Sequence, residues 1–177
     1  AIALDSPGFY NKFKNHNLED STLTNLACGR VSLSEEEAFQ DQKWLWLLSF
    51  LKEGKDKVLI LCFSSHEAEF LAKTLCAHPQ GRVLQKQLAI FHEDLDLIER
   101  DKQAASFARE DGLRILISSE IGGEGRNFQC THKLVLWDLP KLPSLLEQRI
   151  GRLDRIGQGK EIEIYVPYRT GGPEEVL

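Results

Sequence analysis

The chain has 177 residues, 42% of them hydrophobic and 28% charged, which is the composition of one ordinary globular domain. Its formal net charge of −5 excludes a globally basic nucleic-acid binder, so any contact with a polyanion must use local basic patches. No apolar run approaches the roughly 18–20 residues of a membrane span, and we expect a cytoplasmic protein without a membrane partner. The four cysteines are far apart and form no Cys-x-x-Cys pair, so we expect buried reduced thiols and no metal site.

Residues 1–34 predict an irregular or partly helical lead-in, because turn-forming residues are frequent and the apolar residues lack a clear period. Next, Ser34 followed by three glutamates is a helix-capping signal, and the apolar spacing predicts a helix from there to about Lys52. The chain contains no methionine, from which we expect a piece of a longer protein. We assign residues 35–170 to the folded domain and residues 171–177 to a tail.

Strand and helix patterns then alternate along the chain. Predicted strands cover residues 58–63, 87–91, 113–117, 133–137 and, as a more edge-like strand, 161–166. Predicted helices cover residues 67–77, 95–110 and 143–154. The continuous apolar runs indicate strands covered on both faces, and the alternation with short links predicts an α/β fold. We expect a mostly parallel sheet with helices on both faces, in which ligands bind at the carboxyl ends of the strands.

The densest signal for chemistry is the spacing of Gln148, Arg152 and Arg155. If this segment is helical, the three residues fall at i, i+4 and i+7 on one face. Two arginines this close repel each other unless an anion lies between them. A triphosphate would suit, because guanidinium groups bind phosphate oxygens in pairs and stabilise the charge of γ-phosphoryl transfer. The alternative is a solvated basic helix face paired with Glu147 and Asp154.

Two other segments place polar or glycine residues directly after a predicted strand. Ser64 and Ser65 follow the first buried strand, where a serine can equally be the cap of the next helix. A loop with Gly122, Gly123 and Gly125 follows the third strand. Glycines permit close approach of the backbone to a phosphate, although a structural turn explains them at least as well.

The order of these segments resembles the second motor lobe of superfamily 2 helicases. Residues 148–158 resemble the family's motif VI, and their Arg-Ile-Gly-Gln ending is typical of the Swi/Snf-type ATPases. Residues 115–127 resemble motif V, and residues 58–65 resemble motif IV. The resemblance covers about residues 38–168, with the motifs in the family's order. It implies a three-layer RecA-like lobe that acts in an ATP-driven nucleic-acid translocase.

The resemblance also implies roles at a nucleotide. Arg152 and Arg155 would be arginine fingers that reach ATP, and Gln148 would help to couple the nucleotide to the interface between two lobes. Gly125 and Asn127 match the part of motif V that lies nearer the nucleotide. These five residues are therefore the candidates for catalysis and cofactor binding.

A second set of positions would face nucleic acid. By resemblance, Ser64, Ser65 and Ser119 match the strand-end positions that contact it, and His92 would lie near its track. A lone histidine is more often structural, so His92 has a second interpretation as a core residue. The expected ligand is double-stranded DNA or another nucleic acid.

The chain lacks two parts that phosphoryl transfer requires, namely a G-x-x-x-x-G-K-[ST] phosphate loop and an acidic motif for Mg²⁺. The resemblance implies that an N-terminal RecA-like lobe supplies both and holds most of the ATP and Mg²⁺. We therefore expect the 177-residue chain alone to be inactive.

Within the family, residues 91–100, 119–129 and 145–158 are most similar to the bacterial branch associated with RNA polymerase. That similarity implies a bacterial, nucleoid-associated protein that recycles RNA polymerase. An alternative is a non-catalytic module that binds nucleic acid or RNA polymerase on the same fold. An unrelated nucleotide-binding α/β domain fits the composition but not the ordered motifs.

Overall fold

The computed structural model describes residues 39, 41–120, 125–140 and 142–168 with their side chains, and residues 2–4 and 169 as backbone. The strands are β1 (Ile2–Leu4), β2 (Val58–Cys62), β3 (Leu88–Phe91), β4 (Ile115–Ser119), β5 (Lys133–Leu136), β6 (Glu163–Tyr165) and β7 (Pro167–Arg169). The α-helices are α1 (Gln42–Glu53), α2 (Ser65–Ala77), α3 (Leu97–Ala108) and α4 (Pro143–Ile150), and a 3₁₀ helix covers Arg82–Gln87. No helix within these ranges is long and apolar enough to cross a membrane.

A five-stranded sheet with the spatial order β3-β4-β2-β5-β6 organises the described part of the chain. Each neighbouring pair in it is parallel. Parallel neighbours need crossover connections, and the helices between the strands provide them. The mostly parallel α/β fold predicted from the sequence is confirmed, including the edge position of the last predicted strand. A separate parallel pair, β1 with β7, was not predicted.

Helices cover both faces of the sheet. Along β2, Ile60 packs in the apolar cluster that contains Leu47 from α1 and Leu71 from α2. Leu59 belongs to the opposite cluster, together with Phe107 from α3. Successive strand residues point to opposite faces, so a strand that is apolar at every position must be covered twice. The three layers expected from the continuous apolar runs are therefore present.

Helix α1 begins later than the sequence predicted. Asp41 has extended backbone (φ −76°, ψ 128°), and its side chain accepts a hydrogen bond from the Lys43 N–H at 2.9 Å. A residue in this conformation is the N-cap that precedes a helix, so the predicted continuous helix from Ser34 is wrong at Asp41. The capping signal at 34–37 and the remainder of the lead-in lie outside the described residues. So do residues 171–177.

Helix α4 ends at Ile150 instead of continuing to residue 154. The carbonyl of Arg152 accepts a hydrogen bond at 2.9 Å from the N–H of Phe128, which precedes β5 in the chain. After Ile150 the N–H groups of Arg152 and Leu153 donate to the carbonyls of Arg149 and Ile150, three residues earlier, so the backbone tightens out of the α-helical pattern. Leu153 is buried in the second apolar cluster, so packing also draws the chain out of the helical path. The predicted common helix face of Gln148, Arg152 and Arg155 is therefore wrong. The other predicted elements occur within about two residues of their expected ends.

Two cations stabilise the edge of the sheet where the strands begin. The Nζ of Lys57 donates hydrogen bonds to the carbonyls of Phe107 at 2.6 Å and Arg109 at 2.7 Å, at the end of α3. Arg114 donates through Nη2 to the carbonyl of Leu51 at 2.5 Å, in the last turn of α1. Carbonyls at helix C-termini lack intrahelical partners and carry partial negative charge. These cations therefore fasten two helices to the sheet.

Candidate functional site

The carboxyl ends of β2, β3, β4 and β5 lie along one edge of the sheet, because these strands are parallel. Polar and charged residues lie at or just after these ends, namely Ser64, His92, Glu93, Ser119, Glu120 and Asp138. Ligands of open α/β sheets bind at this edge. Within the described ranges, no group of three or more His, Cys, Asp or Glu side chains is placed to hold a metal ion.

A buried arginine that the sequence analysis missed lies at the centre of this edge. Arg149 in α4 is 0% exposed. Its Nε and Nη2 donate to the two carboxylate oxygens of Glu120 at 3.2 and 3.0 Å. It also donates to the carboxylate of Asp138 at 3.0 Å and to the Asp138 carbonyl at 2.6 Å. The guanidinium thus joins α4 to the ends of β4 and β5. The apolar face of α4 could have revealed it, since Arg149 lies at helical spacing from the partly buried Leu146.

Two carboxyl groups, those of Asp138 and Glu67, have altered acidity. Burial raises the pKa of Asp138, although Arg149 lies 3.0 Å away. The second oxygen of that carboxylate accepts from the Phe63 N–H at 2.6 Å. In the first turn of α2, burial and the nearby charge of Asp138 raise the pKa of Glu67 to about 7. At the edge formed by the carboxyl ends of the strands, here called the carboxyl edge, burial thus disfavours the charged forms of both carboxyl groups.

The three residues predicted to act on ATP occupy different settings. Arg152 is 6% exposed, and its Nη2 donates to the backbone carbonyl of Glu120 at 2.8 Å. Gln148 is exposed on α4. Arg155 is also exposed, and its Nε donates to the carbonyl of Gly151 at 3.2 Å. Within the part of the chain that the structure describes, no carboxylate pairs with Arg155. Its charge is therefore available to an incoming anion.

Arg155 begins a tight turn. The N–H of Gln158 donates to the carbonyl of Arg155 at 3.0 Å, which closes a four-residue turn. Gly157, the third residue of the turn, has φ +104°. A positive φ at that position is the requirement of a type II turn, which glycine meets without steric strain. Ile156 is fully exposed at the apex.

The serines predicted to contact nucleic acid differ in accessibility. Ser64 is the N-cap of α2, and its Oγ accepts from the Glu67 N–H at 3.2 Å. Ser65 begins α2 and is half-buried. Ser119 is buried, and its hydroxyl donates to the carboxylate of Glu93. The capping interpretation of Ser64 is confirmed, and it leaves the side chain at the carboxyl edge.

His92 is buried, with 2% of its surface exposed. Its Nε2 lies 3.3 Å from the carboxylate of Glu69. This setting matches the interpretation of His92 as a structural histidine, which the sequence left open. In this structure it is therefore not an accessible contact for a ligand.

The described part of the glycine-rich loop starts at Gly125, which has φ +72° and open space around the position of a Cβ. Asn127 is exposed, and its side chain makes two hydrogen bonds with Gln129. Its Oδ1 accepts from the Gln129 N–H at 3.0 Å, and its Nδ2 donates to Gln129 Oε1 at 2.8 Å. Gly122 and Gly123 lie outside the described residues.

Two solved structures have the same fold. The C-terminal part of the Fun30 ATPase domain matches with a TM-score of 0.67 and 24% identity, over 98% of this chain and 59% of that one. The C-terminal domain of the DEAD-box protein Dbp5 matches with a TM-score of 0.53 and 21% identity, over 71% and 68%. The three-layer α/β lobe is therefore RecA-like, as predicted. Residues 42–157 match the family model of the helicase conserved C-terminal domain, and the chain belongs to that family.

Curated relatives extend the resemblance to one group of proteins. The RNA polymerase-associated protein RapA of Photobacterium profundum is 48% identical over 139 residues, and that of Pectobacterium carotovorum is 52% identical over 139 residues. In both cases the match covers 77% of this chain and 14% of the relative. The resemblance to the RNA polymerase-associated branch that the motifs indicated is confirmed. The chain spans about one seventh of the length of these relatives.

Proposed function

We propose that the chain is the C-terminal motor lobe of an ATP-dependent nucleic-acid translocase and completes an ATP site held mainly by an N-terminal RecA-like lobe. The observation that carries the proposal is the setting of Arg155. This exposed arginine lies on a glycine-containing turn, inside the stretch that matches the helicase family, and it pairs with no carboxylate among the described residues. A cation held this way can bind a phosphate without first breaking an ion pair.

The other candidate residues fit a nucleotide to different degrees. Arg152 supports the edge from a buried position, through the Glu120 carbonyl, and would turn to phosphate only when the lobes close. The exposed amide of Gln148 and the loop from Gly125 to Asn127 offer neutral polar groups. ATP supplies the γ-phosphoryl group that is transferred to water. Mg²⁺ would be held mainly by the first lobe, because phosphoryl transfer needs a phosphate loop and an acidic metal ligand.

The partners follow from the same assignment. RapA proteins are named for their association with RNA polymerase, and we infer that the whole protein recycles RNA polymerase in the bacterial cytoplasm, at the nucleoid. Its track would be double-stranded DNA or another nucleic acid. Of the four residues predicted to contact the track, Ser64 and Ser65 are accessible, whereas Ser119 and His92 are buried. Contact is therefore expected at the end of β2 and the start of α2.

The first test replaces Arg155 by alanine in the full-length two-lobed protein. Loss of an arginine finger lowers kcat by about 10³–10⁵, and we expect a fall of that order with little change in nucleic-acid affinity. The matched control is Arg109→Ala, which removes an exposed arginine paired with Asp111 at the opposite edge of the sheet. An unchanged kcat in Arg155→Ala would favour a non-catalytic module that binds nucleic acid or RNA polymerase.

The second test uses the 177-residue chain by itself. It should show no ATP hydrolysis above background, with or without DNA, because phosphate positioning and Mg²⁺ are missing. Mixing it with the separately produced N-terminal lobe should restore measurable turnover that Arg155→Ala abolishes. Nucleic-acid-stimulated hydrolysis by the chain alone would contradict the two-lobe assignment.

A further inference from the structure

Two glutamine amides link the turn that carries Arg155 to a neighbouring segment. The Nε2 of Gln129 donates to the carbonyl of Ile156 at 2.9 Å. In the opposite direction, Gln158 of the turn donates through Nε2 to the carbonyl of Thr131 at 3.0 Å. The turn is thus bonded at two points to residues 127–131, which lead into β5.

Residues 127–131 are themselves anchored in the core. Phe128 is buried, and its ring meets the rings of Phe91 and Phe107 edge-on, with centroids 6.0 and 6.3 Å apart. The hydroxyl of Thr131 donates to the carbonyl of Lys57 at 2.5 Å. Edge-on aromatic pairs and buried hydrogen bonds fix orientation as well as position. The segment is therefore a firm base for the turn.

The turn itself has little other support. Ile156 at its apex is fully exposed and contributes no buried side chain. Arg155 is exposed as well. The position of the turn in the described structure therefore depends on backbone bonds and on the two glutamine amides. A catalytic group must be held closely, because a displacement of about 1 Å can lower a rate roughly 10²-fold.

We propose that Gln129 and Gln158 are positioning residues, which hold the Arg155 turn in the geometry required at the ATP site. The inference rests on the proposed function of Arg155. The Gln129 amide also accepts from Asn127 Nδ2 at 2.8 Å, which connects the turn to the loop that resembles motif V. The two segments expected near the nucleotide thus share one hydrogen-bonded base.

The experiment removes the donor of Gln158 in the full-length protein. Gln158→Met keeps the length of the side chain without a donor, and Gln158→Glu keeps its shape but presents a carboxylate to the carbonyls. Gln80→Glu is the matched control for charge. Gln80 is exposed, accepts a hydrogen bond from Lys52, and is distant in sequence from Gln158. We expect both Gln158 variants to lower kcat about ten- to a hundredfold, with KM for ATP, nucleic-acid affinity and Tm close to the parent values.

A double-variant comparison separates positioning from general stability. If Gln158 acts through Arg155, Gln158→Met should change kcat less than about twofold when Arg155 is already alanine, because residues acting as a unit are non-additive. Single-turnover hydrolysis of radiolabelled ATP can measure these low rates.

Three outcomes would overturn the inference. Either an unchanged kcat in Gln158→Met beside a strong loss in Arg155→Ala, or losses that multiply in the double variant, would remove the positioning role and leave the proposed function intact. If Arg155→Ala itself keeps the parent kcat, the proposed function fails and this inference fails with it.

Discussion

The two edges of the sheet use arginine and lysine side chains differently. At the edge where strands begin, Lys57 and Arg114 donate to backbone carbonyls at the ends of α3 and α1. At the edge where strands end, Arg149 is buried between two carboxylates, but Arg155 is exposed and meets no carboxylate among the described residues. The difference distinguishes cations that build the fold from a cation that is available to a ligand.

Two arginines that are close in sequence, Arg149 and Arg155, also differ in burial. Arg149 and Arg155 are six residues apart, and the sequence pattern alone drew attention only to the second. Burial with two carboxylates assigns Arg149 to structure. Exposure on a turn is the setting that the proposed role of Arg155 in ligand binding requires. Both assignments predict measurable and opposite consequences for stability and catalysis.

The largest effect on stability is expected from Arg149→Met. The substitution leaves the carboxylates of Glu120 and Asp138 without their cation, and removing one partner of a buried ion pair costs about 3–5 kcal/mol. Urea denaturation of the chain measures the loss. The matched variant Arg155→Met should change the free energy of unfolding by less than about 0.5 kcal/mol. Equal losses of unfolding free energy in the two variants would contradict a structural role for Arg149 that Arg155 lacks.

A smaller loss is expected at the opposite edge from Lys57→Met. Carbonyls at the end of α3 would lose their donor, and unsatisfied polar groups cost about 1–3 kcal/mol. Lys55→Met is the control, because Lys55 is exposed two residues away. Thermal or urea unfolding should show a loss of about 2 kcal/mol for Lys57→Met and almost none for the control. If both variants were equally stable, the carbonyl contacts would not hold the helix.

The smallest of these effects concerns pH and Glu67. Its pKa is about 7 in the folded chain, against an ordinary value of 4.5. Between these values the unfolded state ionises while the folded state keeps its proton, so stability falls as pH rises from about 4.5 through 7.

Glu67→Gln removes this titration and keeps a side chain suited to the first helical turn. We expect the variant to equal the parent at pH 4 and to be more stable at pH 8 by roughly 1–2 kcal/mol, after allowance for partial exposure. Urea unfolding at the two pH values gives the comparison. A constant difference across that range would contradict the altered acidity of the carboxyl edge.

The sequence predicted the sheet well because its signal is local. Continuous apolar runs such as 58–62 require cover on both faces, and the alternation of elements then determines parallel pairing. The end of α4 was mispredicted for a non-local reason. Leu153 is buried in the second apolar cluster, and the Arg152 carbonyl bonds with Phe128, 24 residues earlier; both contacts exist only after the chain folds.

The candidate site was predictable only in part, because the burial of its residues also depends on contacts between segments distant in sequence. The motif pattern led to Arg155, which the structure exposes on a turn. It also led to Ser119 and His92. Ser119 is buried against Glu93 because β3 and β4 lie side by side, and His92 is buried near Glu69 of α2, which is distant in sequence. Arg149 carried a usable signal, since a charged residue on the apolar side of a helix predicts a buried partner of opposite charge.

The most direct test is a structure of the full-length protein bound to ADP and aluminium fluoride, a mimic of the γ-phosphoryl group during transfer. We expect the Arg155 guanidinium to lie within about 3 Å of the fluoride ligands, with Arg149 still bonded to Glu120 and Asp138. Arg155 in solvent, still bonded to the Gly151 carbonyl while the lobes are closed around the nucleotide, would contradict this expectation.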